Sequence, residues 1–170
     1  MVVNDDAPWR HKHKQALVTN CRRAQAWEAE EASLDALYAE TGTLLRDING
    51  VTIDWLSSRL RIDTENRWAS DLPITEQEPT QRLVEICRHV GASAYLSGAE
   101  ERNYLDLERF SAAGIEVIFQ EYVPAIYHYP QLFGDFASHL STLDLVLNCG
   151  SESRDILRAG RRPWGEQGSD

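Results

Sequence analysis

Between residues 79 and 122 the chain repeats one pattern: a helical stretch, a glycine, then a short apolar run. Thr80 and Gln81 open TQRLVEICRHVGA, where Leu83, Ile86, Cys87 and Val90 share one face and Gly91 marks the C-terminal stop. SAYLSG follows as a short strand ending at Gly98. NYLDLERFSAAG reads as the next helix, closing at Gly114, and IEVIFQEY alternates Ile115, Val117 and Phe119 against Glu116, Ile118 and Gln120. This order is an α/β crossover, and two strands joined through a helix default to parallel pairing. A parallel sheet needs both faces covered and usually more strands, so the chain is short of strands for its helices.

The first third is helical in character. HKHKQALVTNCRRAQAWEAEEASLDALYAE lacks Pro and Gly and places Trp27, Leu34, Leu37 and Tyr38 at near-helical spacing. A change of direction is expected near Arg23 to Trp27, and Gly42 ends the second helix. A third helix is predicted over 43–60, and RLRIDTENRWASDLPI is extended, with room for a short strand at Leu60 to Ile62. After the strand pair comes an aromatic connection, VPAIYHYPQLFGDF, then the helix HLSTLDLVLNCG and a further one, SESRDILRAG, behind a Ser151 cap. The expected fold is α/β: one domain over residues 1–160, a short parallel sheet flanked by helices, and a disordered tail over 161–170.

The 170 residues are enough for one real core, and 42% hydrophobic with 26% charged residues is a globular balance. Asp and Glu outnumber Lys and Arg by 27 to 17, so the surface on balance repels phosphate backbones and nucleic acid is not an expected partner. WRHKHK and RAGRR are local exceptions that read as solvated charge runs; binding of nucleic acid through WRHKHK would vanish at modest ionic strength. Cys21, Cys87 and Cys149 form no C-x-x-C pair and read as reduced thiols, which fits a cytoplasmic location. No stretch has signal-peptide character or approaches the roughly 18 apolar residues of a spanning helix, so no membrane insertion is expected.

Ser141, Asp144 and Asn148 stand at i, i+3 and i+7 in the apolar run LSTLDLVLN, on one helix face at about 100° per residue. Two readings fit this polar stripe, a structural hydrogen-bond network or the lining of a wet cleft. Ser97 and Gly98 end the first strand at the sheet edge where open α/β folds bind ligands, and Asn103 begins the helix after it, whose amides favour an anion. Glu100 and Glu101 place negative charge there. Gln120 and Tyr122 end the second strand, and Tyr129 and Gln131 lie in the aromatic loop; such side chains suit sugar or amide recognition, or pack on the core. His11 and His13 would point to nearly opposite faces of a helix, and neither His89 nor His128 has a carboxylate at ligand spacing, so no metal is expected; without a G-x-G-x-x-G or Walker loop no cofactor is expected either.

These residues also carry a family resemblance. YLSG at 95–98, YLD at 104–106, GIEVIFQEY at 114–122, YPQLFGDF at 129–136 and LSTLDLVLNCG at 140–150 resemble the C-terminal half of the WbqC-like proteins. PWRHKHKQALVTN and IDWLSSRLRI are similar to the family's middle segment. Residues 1–8 show no counterpart of its opening strand segment, so the chain reads as an N-terminally truncated member, and Glu100 departs from the small residues usual at its position. The resemblance implies O-antigen, surface-polysaccharide or amino-sugar biosynthesis. Taken with the uncharged polar set at the strand edges, it leads to the expectation of acyl or aminoacyl transfer to a nucleotide-linked sugar. Asp144 is then the expected catalytic base, with Ser141 beside it. Ser97, Gly98, Asn103, Tyr104, Gln120, Tyr122, Tyr129, Gln131 and Asn148 are the substrate-binding set. The expected partner is a sugar or nucleotide-sugar. A non-catalytic protein that binds a pathway enzyme, or a homo-oligomer, is the alternative.

Overall fold

The computed structural model describes residues 1–39, 42–120 and 128–159, and in it the first third is helical as its composition predicts. Helix α1 spans Trp9–Cys21, α2 Trp27–Ala39 and α3 Leu45–Arg59. The change of direction falls where expected: the Ala24 amide donates to the Cys21 carbonyl at 2.8 Å and the Trp27 amide to the Ala24 carbonyl at 3.0 Å. Trp27, Leu34 and Trp55 then bury their side chains together. The Trp55 indole N–H donates to Ser33 Oγ at 3.0 Å, which satisfies a polar atom carried inward with a large ring. Arg59 lies over the Trp55 ring at 4.6 Å and pairs with Glu30 at 3.0 Å.

No strand forms at Leu60 to Ile62. There the Ile62 amide donates to the Ser57 carbonyl at 2.8 Å and the Arg61 amide to the Ser58 carbonyl at 3.1 Å. Arg61 takes the left-handed φ of 51° that this helix-ending motif requires. Those amides close α3 and are not offered to a ladder. A single antiparallel bridge, Val2 with Leu44, ties the first residues to the start of α3.

The crossover predicted from residue 79 is present. Helix α4 spans Pro79–His89, strand β1 Ala94–Gly98, helix α5 Leu107–Ala112 and strand β2 Glu116–Gln120. Glu78 caps α4 by accepting from the Gln81 amide at 2.6 Å, with Pro79 in the first turn where a missing N–H costs nothing. Gly91 and Gly114 leave the two helices at φ of 70° and 69°, values a side chain resists. The strands pair in parallel, Ala94 opposite Glu116 through Gly98 opposite Gln120. Val84, Cys87, Leu105, Phe110 and Ile115 form the core beneath them, and Tyr95 stacks on Phe110 with ring centres 5.2 Å apart.

Helix α6 spans Thr142–Cys149 and α7 Ser153–Ala159, joined by a 3-10 turn over Gly150–Glu152. Val146 and Leu147 are wholly buried among Trp27, Leu34 and Trp55. The chain therefore forms two compact units: Met1–Asp63 with Val123–Asp170, and Thr64–Tyr122. Mixed α/β architecture, a short parallel sheet flanked by helices and a helical N-terminal third are all observed. The tail over 161–170 lies outside the described residues. Because Phe110 has no exposed surface, Phe110→Ala is expected to cost about 3–5 kcal/mol, read as a shifted midpoint in denaturant unfolding.

Candidate functional site

Asp144 sits in the first turn of α6, half-buried, and Asn148 follows one turn later with 6% of its surface exposed. The Asn148 side-chain amide donates to the Asp144 carbonyl at 2.9 Å and to its Oδ1 at 3.1 Å. This pair of the predicted stripe is brought together. Ser141 is not part of it: α6 begins at Thr142, and Ser141 stands before it as the cap, its Oγ accepting from the Leu143 amide at 3.2 Å. A serine hydroxyl competes for the first free amides of a helix, so the helix starts after it.

The loop at 128–141 completes the clamp. The Tyr129 hydroxyl donates to Asp144 Oδ2 at 2.8 Å, and Gln131 Nε2 reaches the same oxygen at 3.1 Å. Gln131 also closes its own loop, donating to the Ala137 carbonyl at 3.0 Å and accepting from the Ala137 amide at 2.8 Å. Phe136 meets the Tyr129 ring edge-on at 5.3 Å. Burial first, then the Asp144 carboxylate, pushes the Tyr129 hydroxyl up to about 12, so it remains a donor at neutral pH.

The bonding can be counted. Oδ2 accepts from two neutral groups and Oδ1 from one, while a carboxylate offers about four lone-pair sites. Oδ1 is the oxygen with capacity left. Around this carboxylate the thiols of Cys21 and Cys149 are raised, mainly by burial and further by negative charge, that of Asp144 at Cys21 and those of Glu152 and then Asp144 at Cys149. Both stay protonated neighbours. The sequence held no signal for them, because a lone cysteine at an apolar position reads as packing.

The second unit holds the other candidates. Ser97 is buried at the end of β1 and donates to the Glu101 carboxylate, which also takes the Tyr95 hydroxyl at 3.4 Å. Gly98 is open, with no atom within 4 Å of where a Cβ would stand, and Gln120 lies opposite it, exposed. Asn103 does not begin a helix. It ends the 3-10 turn Ala99–Asn103, donating to the Glu100 carbonyl at 3.3 Å, and Tyr104 after it is exposed. The helix starts at Leu107 behind Asp106, whose carboxylate accepts from the Glu108 amide at 3.1 Å and the Arg109 side chain at 2.9 Å. Arg109 holds the Asp106 carboxyl below its ordinary range. The chain's own carboxylate therefore takes the place proposed for an anion, a role legible in the D-x-x-R spacing and missed. Tyr122 lies outside the described residues.

Among the described residues no group of three or more His, Cys, Asp and Glu is placed to hold a metal ion. None of their helices is long and apolar enough to cross a membrane.

The architecture and site define a mixed α/β protein with one carboxylate held entirely by neutral donors on a buried helix. The chain belongs to the WbqC-like protein family, which it matches over residues 1–156. The match takes in the helical first third as well as the motifs between 95 and 150. Over 161 residues the chain is 32% identical to the uncharacterized protein Rv1507c of Mycobacterium tuberculosis, covering 93% of this chain and 68% of that one. No solved structure matches it significantly.

The clamp makes a titration prediction. Absorbance difference between wild type and Tyr129→Phe should place the Tyr129 transition at about 12, and Asp144→Asn should lower it part of the way towards 10. Since the folded value lies above the unfolded one, the hydroxyl's stabilising contribution is whole below about pH 10 and is lost as pH rises through 12. A Tyr129 transition at 10 in the folded wild type would refute the clamp.

Proposed function

We propose that this WbqC-like protein is an enzyme of surface-polysaccharide or amino-sugar biosynthesis that transfers an acyl or aminoacyl group to a nucleotide-linked sugar. The observation that carries the reading is the Asp144 carboxylate, oriented by Tyr129, Gln131 and Asn148 with a lone pair of Oδ1 left over. Neutral donors fix the group without cancelling its charge as a guanidinium would, which is what a general base needs. In the proposed step a sugar hydroxyl or amine attacks the acyl carbon. A C–O or C–N bond forms, the bond to the acyl carrier breaks, and the proton taken at Oδ1 passes to the departing carrier.

In this reading Tyr129, Gln131 and Asn148 position the base. Ser141, exposed at the mouth of α6, keeps its O–H for a substrate oxygen while its lone pair caps the helix. Gln120, Tyr104 and Gly98, at the open end of the sheet, are proposed sugar contacts within their own unit. The pathway rests on the family resemblance, the reaction class on that resemblance together with the uncharged polar side chains, and the cytoplasmic setting on three cysteines that read as reduced thiols. A second reading, a non-catalytic partner of a pathway enzyme, draws on Leu96, which is 60% exposed on a sheet two strands wide among the described residues.

The test begins with thermal stability against nucleotide sugars, acyl-CoAs and aminoacyl donors, since a ligand of the native state raises the midpoint. With the pair that stabilises the protein, Asp144→Asn should lower turnover about 10²–10⁴-fold in a variant that still unfolds cooperatively. Undiminished turnover would end the base assignment, and no response to any compound would favour the partner reading.

A further inference from the structure

The unit that carries Asp144 also holds a cation that the proposed step leaves unused. Arg23 lies in the turn between α1 and α2, with its guanidinium carbon 5.4 Å from the centre of the Phe133 ring. The turn is fastened to α6: Ala24 is buried, and the Ala26 amide donates to the Leu147 carbonyl at 2.9 Å. Gly150 at the end of α6 fits against the same place, where a Cβ would come 3.3 Å from the Ala26 methyl. Phe133 in turn stands in the loop that Gln131 closes between itself and Ala137 and ties to Asp144. Two short connections therefore fix Arg23 relative to the carboxylate.

Five other arginines, at positions 10, 46, 59, 67 and 109, are each paired with a carboxylate. Arg23 rests on a ring face, and no carboxylate or carbonyl among the described residues takes its five N–H donors. A contact of this kind holds the guanidinium in place without occupying its donors. In a chain of net charge -10, which repels anions overall, a phosphate-bearing substrate needs a local cation. A guanidinium meets a phosphate in two parallel hydrogen bonds. Phe133, 56% exposed, adds an apolar face beside it for a sugar ring or a base.

We propose that Arg23, held over Phe133, binds the phosphate of the substrate, so that the molecule presented to Asp144 is a phosphorylated sugar and not a free one. This rests on the reading of Asp144 as the base and names the residue that holds the phosphate of its nucleotide-linked substrate. The test uses the full chain with UDP-N-acetylglucosamine, pyrophosphate and N-acetylglucosamine as probes, followed by thermal midpoint and by calorimetry. The two phosphorylated probes should stabilise the wild type and the neutral sugar should do so far less at equal concentration. Arg23→Gln, on an exposed turn, should weaken both phosphorylated probes roughly tenfold or more, while Arg158→Gln, an exposed arginine elsewhere in the same unit, should not.

An Arg23→Gln variant that binds the phosphorylated probes like wild type overturns the proposal, as does a wild type that answers to none of them. The two readings separate cleanly. Unchanged probe binding in Arg23→Gln with lost turnover in Asp144→Asn removes the phosphate site and leaves the base. Weakened probe binding in Arg23→Gln with full turnover in Asp144→Asn keeps the phosphate site and removes the base.

Discussion

The burial of α6 governs the first unit. Val146 and Leu147 have no exposed surface, and burying side chains of this size is worth about 1.5–3 kcal/mol each. The same helix carries Asn148 inward, and a polar group left unpaired there would return about 1–3 kcal/mol of that gain. The helix is therefore stable in its seat only when Asn148 has its acceptors, and those are the carbonyl and carboxylate of Asp144 one turn earlier. The Leu147 carbonyl, near the helix end where no further turn can use it, takes the Ala26 amide from the α1–α2 corner. Packing, the corner and the orientation of Asp144 are consequences of one docking event.

Carboxylates elsewhere show what sets Asp144 apart. Glu78 and Asp106 cap α4 and α5, and Glu101 receives the Ser97 hydroxyl. Each has a structural partner that explains its position, and Asp106 and Glu78 also share Arg109, at 2.9 and 3.3 Å. Asp144 neither caps its helix, a task that falls to Ser141, nor pairs with a cation in its clamp. Three neutral side chains converge on it, Tyr129 and Gln131 from the loop before α6 and Asn148 from the helix itself. A group held so deliberately and left with bonding capacity is the natural place to look for chemistry.

The crossover was legible because its signals are local. Gly91 and Gly114 stop helices through their own backbone freedom, and Leu83, Ile86 and Cys87 mark a face within three turns. Asp144 with Asn148 was legible for the same reason, both lying on one helix. Ser141 fell one residue outside the helix, since hydrophobic period does not reveal that a serine hydroxyl captures the first amides. Leu60 to Ile62 failed similarly: three alternating residues resemble a strand, but their amides were claimed by the end of α3. The contacts of Tyr129, Gln131 and Arg23 were beyond local reading. They depend on how a loop without regular period folds back, which is decided by tertiary closure and by no spacing along the chain.

That closure also keeps two opposite charges from neutralising each other. Asp144 and Arg23 belong to one unit and are anchored to the same helix, so a direct ion pair is the obvious competing arrangement. It would satisfy both groups and leave neither a base nor an anion site. Each instead meets a neutral group of one loop: Gln131 takes the carboxylate, and Phe133, two residues on, takes the guanidinium. Each charge therefore remains available to a third molecule, and a loop that holds a carboxylate through Gln131 and a guanidinium through Phe133 is suited to a substrate that bears a phosphate at one end and a nucleophilic hydroxyl or amine at the other.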